Sequence, residues 1–209
     1  MTRPSSQPST RERIVEAADM LFYRHGFEKT SFADIADEVR LSRGNFYYHF
    51  KTKDEILAAV IELRAARTRA MLDTWTGDAP TPSDRLRCFA AMLVHNREDI
   101  QRYGCPVGTL CAELAKLKHP AQGDAGMIFA QFRNWLEGQF KALGFGDEAD
   151  ALGMHLLTRS QGIAALANTF HDEAFIRHEV ELINAWLESL HPGKIAPPGQ
   201  ARKAAQPPI

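Results

Sequence analysis

Apolar residues recur along this chain at intervals of three and four, the period of an amphipathic helix. In "RERIVEAADMLFYRHG", Ile14, Ala17, Ala18, Leu21 and Phe22 fall on one face. Ser9 and Glu12 form a capping box that opens this helix, and Gly26 closes it. Ser31 and Asp34 cap a short second helix that carries Ile35, Ala36 and Val39. A break at 40–42 leads into another short helix through Phe50, and Thr52 and Glu55 form a third capping box. That box starts a long helix reaching about Trp75. Thr81 as N-cap and Pro82 at the first helical position open the next. Further helices are expected at about 82–102, 106–117, 121–143, 147–169 and 172–190. Convincing period-2 strands are absent, so the expected fold class is all-α.

The first three helices are too short to stand alone and must share a small core. The expected organisation is a disordered 1–8, a three-helix module at 9–53, a larger helical body at 54–191 and a disordered tail at 192–209. The tail, "PGKIAPPGQARKAAQPPI", carries Pro, Gly and charge without periodicity.

Composition narrows the function classes only a little. The formal net charge is -1 and hydrophobic residues make up 44% of the 209 residues. No apolar run approaches the ~18–20 residues that span a bilayer, and "MTRPSSQPST" lacks the apolar stretch of a secretion signal. The three cysteines, Cys88, Cys105 and Cys111, are too few and odd in number for a disulfide scaffold. A cytoplasmic location with free thiols is expected. No metal or other cofactor is expected, since neither CxxC nor His-x-x-x-His spacing occurs.

Local charge is more informative than the sum. From Arg40 through Lys53 there are four cations and no acid, and they bracket the aromatic run "NFYYHF". Two short helices joined by a tight break, braced by a preceding helix, make a helix-turn-helix. Phe46 and Phe50, four apart, can both face its core, which leaves Arg43, Asn45, Tyr47, Tyr48 and His49 to share the rest of the surface. Arg donates two hydrogen bonds to a guanine edge and Asn does the same for adenine, while Tyr and His reach phosphate oxygens. The N-terminal amides of the following helix, flanked by Lys51 and Lys53, suit a phosphate. These features point to a DNA major groove. On composition alone the aromatics could equally be core, with the cations solvating its edge.

The stretch "FYRHGFEKTSFADIADEVRLSRGNFYYHFKTKDEIL" resembles the DNA-binding signature of TetR-family transcriptional regulators. Gly26, Phe27, Thr30, Ser31, Ile35, Ala36, Ser42, Gly44, Tyr47, Phe50 and Lys53 fill the places of that signature, which covers about the first quarter of the chain. The surface reading and the resemblance together give an expected DNA-contacting set of Thr30, Ser31, Ser42, Arg43, Gly44, Asn45, Tyr47, Tyr48, His49, Lys51 and Lys53. Two departures stand out. Arg40 occupies the interhelical turn where the family usually has Gly, and Tyr48-His49 stands where His-Tyr is commoner.

One helix-turn-helix contacts too few base pairs to select a genomic site, so a homodimer on a palindromic operator in double-stranded DNA is expected. The last two helices are the candidate interface. Ile176, Val180, Ile183, Leu187 and Leu190 form one stripe with Phe175, Leu182 and Trp186 beside it, and Gly153, Gly162, Ala164, Ala165 and Ala167 allow close approach. Intramolecular core is the alternative for this face. The family resemblance implies dimerisation through these helices and a small-molecule inducer pocket among the middle ones. Met92, His95, Leu110, Phe132, Trp135 and His155 are the candidate pocket residues.

In "RYGCPVGTLCAEL", Pro106 at a first helical position puts Cys105 at the N-cap, where the helix dipole favours its thiolate. This segment is similar to the Gly-Cys loop of family members that sense electrophiles and oxidants. The expected function is a ligand-responsive dimeric regulator, most plainly a repressor released by its inducer. A thiol sensor acting through Cys105 is the alternative. An enzyme or an adaptor is disfavoured, since no nucleophile–base spacing is present and an adaptor leaves the basic aromatic helix unexplained.

Overall fold

A computed structural model describes residues 8–192. The ends expected to be disordered, 1–8 and 192–209, lie outside those residues except for Pro8 and Pro192. Among the described residues the chain is helical throughout, with no strand. In order come α1 (Thr10–His25), α2 (Phe32–Glu38), α3 (Arg43–His49), α4 (Lys53–Asp78), α5 (Pro82–His95), α6 (Arg97–Tyr103), α7 (Pro106–Lys116), α8 (Gln122–Ala142), α9 (Ala149–Phe170) and α10 (Glu173–Ser189).

The helix starts follow their capping chemistry. The Ser9–Glu12 and Ser31–Asp34 boxes are both closed reciprocally, and the Thr81 side chain accepts from the Asp84 amide. At α4 the Thr52 hydroxyl accepts from the Glu55 amide, but the Glu55 carboxylate reaches one residue further back, to the Lys51 amide at 2.7 Å. The single helix expected at 82–102 is two. The chain breaks at Asn96 (φ -98, ψ 17), whose side chain donates back to the Met92 carbonyl, and α6 restarts with Glu98 and Asp99 in its first turn.

Helices α1, α2 and α3 bury Ile14, Phe22, Ile35, Ala36, Phe46 and Phe50 in a shared core against the start of α4. The rest of α4 runs into the body, where α8 and α9 form the most extensive helix pair. Gly153 is what lets them close: a Cβ there would sit 3.2 Å from the Glu137 backbone nitrogen. Helix α10 packs on α5 and α9.

The stripe expected to face a second copy turns inward instead. Ile176, Val180, Ile183 and Leu187 are all buried in the chain's own core, as are Gly153, Ala164 and Ala167. The intramolecular alternative holds for those residues. What the last two helices leave uncovered is Met154, Gly162, Ala165, Leu166 and Phe170 on α9, and Leu182 on α10.

A part-buried ion pair ties α1 to the body. Arg64 on α4 donates to Asp19 on α1 at 2.6 Å, and its guanidinium also donates to the Pro106 carbonyl. The Tyr23 hydroxyl of α1 donates to the Gly104 carbonyl at 2.7 Å.

Candidate nucleic-acid interface

Helices α2 and α3 meet across the turn at 40–42. Arg40 sits there in the left-handed region (φ 54), where a residue with a Cβ is strained by about 1–2 kcal/mol. The turn holds because the Arg40 amide donates to Asp37 (3.1 Å) and the Leu41 amide to Ala36 (3.0 Å). Arg13 of α1 adds a hydrogen bond to the Val39 carbonyl at 3.0 Å.

This turn fixes which face of α3 points out. Phe46 and Phe50 are each 1% exposed, so both are core. Tyr47 is 47% and Tyr48 78% exposed, the reverse of what such rings prefer in a folded monomer. Tyr47 is not loose, for it stacks on Phe32 at 5.5 Å between centroids and 15° between planes. Ser42, the N-cap of α3, and Arg43, Gly44 and Asn45 in its first turn are exposed as well. His49 is half-buried beside Tyr48. Lys51 follows, exposed, with its Nζ donating to the Tyr47 carbonyl. Arg43, Asn45, Tyr47, Tyr48 and Lys51 thus form one projecting basic and aromatic ridge. Hydrogen-bond donors and ring edges on a narrow convex helix suit base edges and phosphates in a major groove.

Two residues of the expected DNA-contacting set lie elsewhere. Thr30 is buried, 2% exposed, and its hydroxyl donates to the Gly26 carbonyl at 2.7 Å. Lys53 folds back on the loop after α1, where its Nζ donates to the carbonyls of Phe27 (3.0 Å), Glu28 (3.1 Å) and Thr30 (3.3 Å). Ser31 is exposed, but its hydroxyl and amide are both taken by Asp34. Those two hydrogen bonds, the amide's first, hold the Asp34 carboxyl below its ordinary value.

A cavity of about 360 Å³ lies in the body. Phe89, Met92, Phe129, Phe132 and Leu157 supply apolar wall, and Tyr23, Thr68, Asp99, Cys105 and Gln161 supply polar groups. Of the expected pocket residues, Met92 and Phe132 line it. The other four do not. His95 is exposed at the end of α5, and Leu110 packs in the core. Trp135 pairs with Trp75 and donates to Thr76 at 3.0 Å, while His155 lies against Trp186. The sequence pattern does not point to Tyr23, Thr68 or Gln161, because α1, α4 and α9 reach the cavity only through the tertiary fold.

Burial first, and then the nearby Asp99 carboxylate, push the Tyr23 hydroxyl well above the ordinary tyrosine value, so it stays a neutral donor. A second, more polar hollow of about 410 Å³ adjoins the cavity and shares Tyr23, Arg67, Thr68 and Asp99 with it. Cys105 is the N-cap of α7, its sulfur accepting from the Gly108 amide at 3.4 Å. Burial pushes the Cys111 thiol up, and Cys105 adds to that. Among the described residues no group of three His, Cys, Asp or Glu could hold a metal ion, and no helix is long and apolar enough to cross a membrane.

Comparison with known proteins agrees with this geometry. Residues 14–60 match the family described as bacterial regulatory proteins, tetR family. An uncharacterized HTH-type transcriptional regulator of Lactococcus lactis subsp. lactis is 26% identical over 87% of this chain and 95% of its own length. The HTH-type transcriptional repressor DhaR of Mycobacterium sp. (strain GP1) is 24% identical over 68% of this chain and 69% of its own. Among solved structures, a TetR transcriptional regulator from Legionella pneumophila superposes with a TM-score of 0.78 at 22% identity, covering 87% of this chain and 98% of that one. The family match therefore places a tetR-family helix-turn-helix module on α1 to α4, and the body behind it has the fold of the solved TetR regulator.

Proposed function

We propose that this chain is a dimeric repressor that leaves a palindromic operator when a small apolar molecule fills its cavity. The observation that carries the DNA half is the exposure of Tyr47 and Tyr48 on a helix whose other two aromatics are core. A helix that hides Phe46 and Phe50 while presenting tyrosines, Arg43 and Asn45 is built for a partner with phosphates and base edges. Dimerisation is supported by the apolar residues that α9 and α10 leave exposed, Phe170 at 70% with Leu166 and Leu182, and by the exposed small residues Gly162 and Ala165 on α9. Two copies joined there would offer paired α3 helices to half-sites about one DNA turn, ~34–36 Å, or multiples of it apart.

Ligand response is supported by where the cavity lies. Helix α4 runs unbroken from the DNA-binding module into the body, and its Thr68 and Met71 line the cavity. An occupant that prefers one body arrangement would swing α4 and alter the spacing of the two α3 helices. It shifts the balance only by its differential affinity for the two states. The lining suits a compact, largely apolar ligand that offers one or two hydrogen-bonding groups to Tyr23, Thr68 or Gln161.

Sensing through Cys105 is the second reading, and the place of that thiol on the cavity wall favours it. The raised Cys111 thiol is a poor partner for disulfide formation, so the chemistry there would be adduct formation on Cys105. Both readings are tested by enriching an operator from a random duplex pool and then titrating small apolar compounds and electrophiles against parent and Cys105→Ser protein bound to it. Release by an unreactive compound from both proteins supports the ligand switch. Release by electrophiles from the parent alone supports the thiol. Tight operator binding that no compound disturbs would contradict both.

A further inference from the structure

Helix α7 touches the cavity with one end and the DNA-binding module with the other. Its N-cap Cys105 and first residues Pro106 and Val107 line the cavity wall. About two turns, roughly 10 Å, further along, its Glu113 carboxylate accepts from the backbone amides of Phe27 (2.9 Å) and Glu28 (3.0 Å). Neither amide has a backbone acceptor among the described residues. The fit is close: Gly26 sits in the left-handed region (φ +90), and a Cβ there would lie 3.0 Å from a Glu113 oxygen. The His119 ring, just past the end of α7, packs edge-on against Phe27 at 5.2 Å. The loop at 26–30 is therefore clamped, with an anion on its N–H groups and the Lys53 ammonium on its carbonyls. It leads directly into Ser31, the N-cap of α2.

We propose that Glu113 is a positioning residue for DNA binding, whose carboxylate carries a shift of α7 at the cavity into the 26–30 loop and so into α2 and α3. The proposal rests on the cavity being the ligand site and on the α3 ridge being the DNA surface. It adds to α4 a second route that enters the module through its first loop. An occupant pressing on Pro106 and Val107 moves α7 as one short rigid helix. Two charge-assisted hydrogen bonds to adjacent amides are directional, so the loop follows or the bonds break. The hydrogen bonds from Tyr23 to Gly104 and from Arg64 to Pro106 lie on the same path and set the resting place of the α7 N-terminus.

The test is a double-mutant cycle on the full chain with the enriched operator. Ala164→Leu on α9 crowds the cavity wall and stands in for an occupant. Glu113→Ala removes the clamp. Operator affinity and hydrogen exchange of the Phe27 and Glu28 amides are measured for the parent, both single variants and the double. Each single change should lower affinity by about tenfold and speed exchange of those two amides. In the double variant Ala164→Leu should lower affinity by less than it does in the parent, the remainder being the α4 route, and should not speed exchange of those two amides further. Glu113→Gln, which keeps an acceptor oxygen, should recover most of the affinity, and Glu113→Met, which keeps the stem without an oxygen acceptor, takes the place of the alanine variant in the cycle if that variant does not fold. Effects that multiply, a parent indifferent to Ala164→Leu, or a Glu113→Ala protein with parent-like affinity would each overturn the proposal while leaving DNA binding intact. Failure to enrich any DNA would overturn the functional reading itself.

Discussion

The Nζ of Lys53 lies 3.0 Å from the carbonyl oxygen of Phe27 and 4.3 Å from the centre of that residue's ring. A lysine at the edge of a DNA-binding surface is naturally assigned to phosphate, yet this one is spent inside its own module. Lys53→Met keeps the aliphatic stem over the ring and deletes the charged donor. A hydrogen bond from a charged group contributes about 1.5–3 kcal/mol, and the partial exposure of Lys53 puts the expected loss nearer 1–2 kcal/mol by urea denaturation. The decisive reading is the salt dependence of operator binding. Loss of a phosphate contact lowers the slope of log K against log salt by about 0.9, and here the slope should not change.

Arg40 at φ 54 offers a stabilising change. Arg40→Gly relieves strain of about 1–2 kcal/mol but gives the unfolded chain more freedom, which takes back about 0.4–1. A net gain near 0.5–1 kcal/mol is expected in urea denaturation. A loss of stability would show that the Arg40 side chain makes a contact that outweighs its backbone.

Gly44 has no atom within 4 Å of where a Cβ would stand, so nothing within the chain requires a glycine in the first turn of α3. Gly44→Ala should raise stability by a few tenths of a kcal/mol, since alanine is the better helix former. It should also lower operator affinity if the α3 ridge is the DNA surface proposed above, since an added methyl there would meet the DNA backbone. Unchanged affinity would move the contact surface away from the start of α3.

Asp34 links pH to the module. Its folded carboxyl is held below the ordinary value by Ser31, so its contribution is complete above about pH 4 and is lost as the pH falls through the lowered folded value. Ser31→Ala should raise the Asp34 titration midpoint toward that of a free aspartate, read from its carboxyl carbon by NMR. A midpoint that stays put would mean that the Ser31 amide alone, which alanine retains, holds it down.

Helix starts were legible in the sequence because they are local: Ser9, Ser31, Thr52, Thr81 and Cys105 each cap within three residues of themselves. The inward turn of Phe46 and Phe50 was legible too, since four-residue spacing fixes a shared face. Side chains that answer to distant backbone were not. Lys53 and Glu113 both serve the 26–30 loop, from 23 to 86 residues away, and nothing beside either residue announces that. The faces of α9 and α10 misled for a related reason. Ile176, Val180, Ile183 and Leu187 form the stronger stripe, and the strongest stripe belongs to the core, leaving the weaker Leu166, Phe170 and Leu182 outside.

Selection from a random duplex pool decides whether the α3 ridge of a dimer reads DNA. Folded parent protein under reducing conditions should enrich a palindrome whose half-sites lie about one helical turn, or a multiple of it, apart, and Tyr47→Ala protein should not. Helical, monodisperse parent protein that enriches no sequence would contradict the account.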